Sequence, residues 1–201
     1  MFTAFSRALA LSVLVIGLAS CSKSGGNPTA AAATTTLTGS PQTTGSGYSG
    51  TGSLIYNTPL ESVQSGHSWA LAFTLQDGGS LTLLSNTNNQ LGNGVAIQFS
   101  RAGAVLSAKL KAAGSETDVS AAFTSIDASG AISLQVDIHN DETPAHVLVW
   151  SGTDFSEGAA LLNSEDAGNE VPGSGSGTYW GLELNNATVS TIERTSPKFE
   201  E

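Results

Sequence analysis

The chain has 201 residues, with 17 Asp and Glu against 7 Lys and Arg and a formal net charge of −10. That balance argues against nucleic-acid binding, which needs a basic face, and against a second contact with an anionic membrane surface. A single cysteine excludes an internal disulfide framework, and the length suits one folded domain with a core of its own.

In chain order, Arg7 and the amino terminus give a weakly positive start, and Ala8 to Ala19 is an apolar run broken by Ser12 and Gly17. About twelve such residues are too few to cross a bilayer, which takes roughly 20. They match the h-region of a secretory signal. The run ends on Leu18-Ala19-Ser20-Cys21. This motif after an h-region resembles the lipobox of bacterial lipoproteins. The resemblance implies that residues 1–20 are a signal peptide removed before Cys21. It also implies a diacylglyceryl thioether on the Cys21 sulfur and an acylated new amino terminus. Each buried methylene contributes about 0.8 kcal/mol, so two or more chains hold a protein stably on a membrane. Ser22 stands where an aspartate would resemble an inner-membrane retention signal, which points to the outer membrane.

From Ser22 to Ser53 the chain is rich in Ser, Thr, Gly and Ala, with Lys23 its only charge. Ala30 to Thr36 and Thr43 to Gly47 are low-complexity. Such composition buries too little apolar surface to offset ordering entropy, so residues 21–53 are predicted to be the lipidated cysteine and a flexible linker.

Residues 54–201 carry a period-two pattern. Trp69, Leu71, Phe73 and Leu75 alternate with small or polar residues, and Asp77-Gly78-Gly79 reads as a hairpin turn into Ser80 to Leu84. Val95, Ile97 and Phe99 alternate next; Ala102-Gly103 turns the chain into Leu106, Ala108 and Leu110. Val119, Ala121 and Phe123 follow, then a turn at Asp127 to Gly130 and an alternating run Ile132, Leu134, Val136, Ile138. His146 to Trp150 is almost wholly apolar, and Trp180, Leu182 and Leu184 close the pattern with Val189 to Ile192. No stretch shows a helical apolar period over 11 or more positions. The expected fold is all-β: a two-sheet antiparallel β-sandwich of jelly-roll type, one face of each strand buried and the other wet. The strand from Trp69 to Phe73, the long middle strands and the closing Tyr179-Trp180-Gly181-Leu182-Glu183-Leu184 resemble the concanavalin A/laminin-G type of jelly roll. That group consists mostly of sugar- or protein-binding modules with some glycanases, which implies a binding module at the cell envelope.

Candidate chemistry is sparse. From Ala112 to Glu193 there are thirteen Asp and Glu and no Lys or Arg. The bland reading is solubility; the sharper one is a hard cation, since calcium takes six to eight oxygens. Asp154, Glu157, Glu165, Asp166 and Glu170 occupy a turn-rich stretch that suits calcium by composition, without EF-hand spacing. Asp137, His139 and Asp141 are spaced to share a strand face, and His146 stands opposite if the chain turns at Asp141 to Pro144. Two histidines with carboxylates suit a transition metal; the plainer reading is the wet face of a half-buried strand. Trp69 and Trp180 fall on the core parity, whereas Trp150 ends a strand, where an exposed ring stacks on a sugar and a buried one packs with its N–H bonded. A jelly-roll glycanase of the type resembled carries Glu-x-Asp-x-x-Glu on a strand, and this chain lacks it. No nucleophile elbow, zinc-protease helix motif or phosphate loop is present either. The sequence therefore points to a non-catalytic module for glycan or a protein partner, with a structural envelope component as the alternative and a glycan hydrolase behind both.

Overall fold

The computed structural model describes residues 33–45, 47–123, 128–155 and 158–197. Cys21 and the segment before it lie outside the described residues, as does Glu157. Among the described residues eleven strands form: β1 (Thr34–Gly39), β2 (Gln42–Thr44), β3 (Gly47–Tyr56), β4 (Gly66–Thr87), β5 (Val95–Ala102), β6 (Val105–Ala112), β7 (Ser115–Asp118), β8 (Ala131–His139), β9 (His146–Ser151), β10 (Leu162–Asn163) and β11 (Tyr179–Thr195). All described pairings are antiparallel. No helix among the described residues is long and apolar enough to cross a membrane.

Three long strands, β3, β4 and β11, run side by side and bend together, so that each contributes to two layers. In the first layer the carboxy-terminal half of β4 pairs with β5, which continues to β6 and β7; β11 and β3 flank it on the other side, with β1 at the edge. In the second layer the amino-terminal half of β4 pairs with β8, which continues to β9 and β10, while β2 closes the far edge on β3. The layers face one another across an aromatic core. Phe73 of the second meets Phe99 of the first at 5.5 Å between ring centres, and Phe99 meets Phe123 edge-on at 5.4 Å. At one end Tyr56 stacks on Trp180 at 3.7 Å, and Trp180 contacts Trp69 at 6.1 Å. Such contacts add about 0.5–1.5 kcal/mol each beyond area burial.

The sandwich, its antiparallel pairing and the inward parity of Trp69 to Leu75, of Val95 to Phe99 and of Ile132 to Ile138 agree with the sequence reading. Three local expectations change. Asp77 to Gly79 does not reverse the chain. It bends one 22-residue strand, because β11 pairs with β4 on both sides of the bend, at Leu81 to Leu84 and again at Ser68 to Leu75. Gly79 is required there: a Cβ would stand 2.7 Å from the Asn186 carbonyl oxygen.

Thr34–Gly39, Gln42–Thr44 and the stretch from Gly47 are strand rather than tether. Thr34, Thr35, Thr36 and Thr38 are β-branched and pair with the second half of β3, and Tyr48 reaches the core. Gly47 lies so close to β11 that a Cβ would overlap the Val189 carbonyl oxygen. Low complexity here reflects tight strand contacts, and the folded unit includes β1 from Thr34.

Val119, Ala121 and Phe123 are not strand either. Asp118 Oδ1 accepts the Ser120 N–H at 2.9 Å, and residues Ser120–Phe123 turn into a short 3-10 helix that carries Phe123 into the core.

Candidate functional site

Outward-pointing residues of β8 and β9 meet in register: Gln135 opposes Trp150, Asp137 opposes Leu148, and His139 opposes His146. The turn expected at Asp141 to Pro144 is present, and it brings Asp137, His139, His146 and Trp150 onto one face. The His139 and His146 rings lie 6.0 Å apart. This face is not wet, however. Gln135 and Asp137 are fully buried, as is Ser68 beside them on β4. Trp150 is 6% exposed and its Nε1–H donates to the Gly158 carbonyl at 3.2 Å, so its ring is packed and offers no open stacking surface. Asp141 lies past the end of β8, 3.7 Å from His139 Nδ1.

The acidic residues divide. Asp154, Asp166 and Glu170 are exposed, and Glu170 Oε2 accepts the N–H of its own neighbour Gly168 at 3.0 Å. They do not gather with Glu165. Among the described residues, the three metal-ligating side chains that converge are Glu142, His146 and Glu165, with ligand atoms all within 4.8 Å of one another. His146 Nδ1 stands 3.8 Å from Glu142 Oε2 and 4.0 Å from Glu165 Oε1. Glu142 entered the sequence reading only as a turn residue. The signal was its placement four residues before His146 across that turn.

A second feature lies on the outer face of the first layer. Here Leu84, Leu91 and Ala96 form an apolar floor with Ile55, and a groove of about 410 Å³ opens above Thr82, Leu84 and Ala96. Asn93, Lys111, Glu116 and Glu183 line its sides. Glu116 is also paired with Lys109, whose hydrogen bond holds the Glu116 carboxyl below its ordinary value. No sequence motif marks this groove. Its signal was the doublet Leu83-Leu84, in which one leucine must face away from the core whatever the register.

No family model matches the chain, and no curated protein does. Solved structures supply the likeness. The carbohydrate-binding module CBM66 from Bacillus subtilis aligns with 82% of this chain and 96% of its own, at 11% identity and a TM-score of 0.50. This chain shares its antiparallel β-sandwich fold with that module. The Bacteroides ovatus xyloglucan PUL protein GH43B aligns over 77% of this chain and 33% of its own, at 10% identity and a TM-score of 0.45. A β-1,3-glucanase from Mycobacterium marinum aligns over 77% and 72%, at 14% identity and a TM-score of 0.39. At 11% identity the likeness to the module concerns the fold.

Proposed function

We propose that this chain is a non-catalytic glycan-binding module held at the cell envelope by lipid on Cys21, and that the groove on the outer face of the first layer receives the sugar. The observation that carries the reading is that groove, on a sandwich whose fold matches a carbohydrate-binding module over 96% of the module's length. Its volume of about 410 Å³ falls in the range of small-ligand clefts, about 300–1,000 Å³. Leu84, Leu91 and Ala96 suit the C–H face of a pyranose or furanose ring, while Asn93, Lys111 and Glu183 offer donors and acceptors to its hydroxyls. The net charge of −10 selects neutral or cationic glycans over polyanionic ones.

Glycan-array screening of the purified protein, followed by pull-down on insoluble envelope polysaccharide, tests the reading. Retention of a neutral or cationic glycan that is lost in Lys111→Ala and Glu183→Ala is expected. Failure to retain any glycan, or retention indifferent to both substitutions, contradicts it. The anchor is checked by metabolic labelling with a palmitate analogue: label on the parent protein and none on Cys21→Ser is expected, and equal label on both contradicts it.

A further inference from the structure

The convergence of Glu142, His146 and Glu165 is independent of the groove, which lies on the other layer. Three segments build it: the turn between β8 and β9, the first residue of β9, and the turn that leaves β10. They are clamped to one another. Val147 N–H donates to Ser164 Oγ at 2.8 Å, and Ser164 N–H returns to the Val147 carbonyl at 3.0 Å. His146 itself is 3% exposed, so its ring position is fixed by packing.

The hydrogen bonds around Asn163 set the tautomer of that ring. Asn163 Oδ1 accepts the Glu165 backbone N–H at 2.9 Å, which identifies it as the amide oxygen. The same oxygen lies 2.9 Å from His146 Nε2, so Nε2 carries the proton and donates. In the neutral imidazole the lone pair is then on Nδ1, the atom turned toward Glu142 and Glu165. A metal-binding histidine is prepared in this way, with its remote N–H held by a neighbouring oxygen and its lone pair directed inward. The separations from His146 Nδ1 to the Glu142 and Glu165 oxygens are 3.8 and 4.0 Å. They are near the spacing of about 3.3–3.6 Å between ligands that stand about 2.0–2.2 Å from a tetrahedral ion. Glu142 and Glu165 are 53% and 55% exposed, which leaves room for side-chain rotation to shorten these distances. No Lys or Arg occurs between Ala112 and Glu193 to neutralise the two carboxylates from within that stretch.

We propose that Glu142, His146 and Glu165 bind a divalent first-row cation of the zinc class through His146 Nδ1 and one oxygen of each carboxylate. An imidazole nitrogen with two carboxylates suits such an ion better than calcium, which takes six to eight oxygens. Three protein ligands and two half-exposed carboxylates leave the fourth position open to water or to an oxygen of a bound partner. Asn163 acts as a positioning residue.

The test is titration calorimetry of tag-free, chelator-treated protein with zinc chloride, with calcium and magnesium chlorides in parallel, and melting curves under the same conditions. One saturable zinc site per chain is expected, with a zinc-selective rise in melting temperature. Glu165→Gln, at an exposed position, leaves the metal-free melt unchanged and weakens zinc at least tenfold; Asn163→Ala weakens it roughly 10–100-fold, as loss of an outer hydrogen bond to a metal-binding histidine does. A zinc isotherm without a one-to-one site, an affinity unchanged in Glu165→Gln, or an equal response to calcium overturns the assignment. So does a metal-independent Nδ1 proton, seen as a nitrogen-15 imidazolium signal that zinc does not displace at neutral pH.

Discussion

The two outer faces of the sandwich share the bent strands β3, β4 and β11, yet they treat polarity in opposite ways. On the first layer, outward positions are apolar at the floor, with Leu84 and Ala96, and charged at the rim, with Lys111, Glu116 and Glu183; the floor lies beneath an open groove. On the second layer, outward positions include the polar Ser68, Gln135, Asp137 and His146 beside Ala70, Leu148 and Trp150, and all of these are buried. Alternation along a strand therefore fixes which way a side chain points. What it meets there is decided by the segments that lie over the sheet, and the rule of one buried face and one wet face fails on both layers for different reasons.

The largest expected effect isolates the inner face. Phe73 contacts Phe99 across the two layers and is buried, so Phe73→Ala lowers unfolding stability by about 3–5 kcal/mol. Ala72→Thr, one residue earlier and only half-buried, costs far less. Chemical denaturation compares the two, and equal losses would mean that the register of β4 is misassigned. Next comes the covered outer face. Ala70 is buried beside Gln135, and a carboxylate placed there has no water, so Ala70→Asp costs about 3 kcal/mol or more. Glu183→Ala, on the outer face with the groove, changes stability by less than about 0.5 kcal/mol. If Ala70→Asp is as mild as Glu183→Ala, the contrast between the faces collapses.

A smaller, pH-dependent effect marks the open end of the sandwich. His67 packs against Trp69 and meets Glu61 at 2.5 Å. Burial pushes the His67 pKa below its ordinary 6.5, and the Glu61 hydrogen bond only partly opposes this. The folded state therefore binds this proton less readily than the unfolded chain. The His67 contribution is present above pH 6.5 and is lost as pH falls through the lowered value. Glu61 is also lowered, chiefly by a backbone hydrogen bond and then by His67, so its contribution is lost in turn below its ordinary 4.5. Melts between pH 7.5 and 5.0 are expected to fall for the parent protein and to flatten for His67→Gln. Parallel curves would contradict a buried neutral histidine.

Much of the architecture was legible in the sequence, since strands such as β5, β6 and β8 carry a clean period of two and are closed by glycine turns at Gly103 and Gly130. The bend in β4 was not, because Asp-Gly-Gly has the same local chemistry whether the chain reverses or merely bends. Only the distant β11, pairing on both sides of it, decides between the two. The edge strands β1 to β3 were hidden by composition: threonine and glycine read as linker until a partner strand supplies their hydrogen bonds. At the candidate sites the opposition of His139 and His146 was readable, since a strand parity and a turn suffice for it. Glu165 was singled out, but among acids that the structure leaves apart, because its true neighbours arrive through the pairing of β10 with β9. The groove depends on residues from β4, β5, β6, β7 and β11, and no local pattern joins them.

The most direct test of a glycan site on the first layer is a nitrogen-15 amide shift titration with a glycan retained by the protein. Shifts concentrated at Thr82, Asn93, Lys111 and Glu183, with His139, His146 and Glu165 unmoved, are the result expected from this account. Shifts confined to the β8–β9 face, with the groove silent, would contradict it.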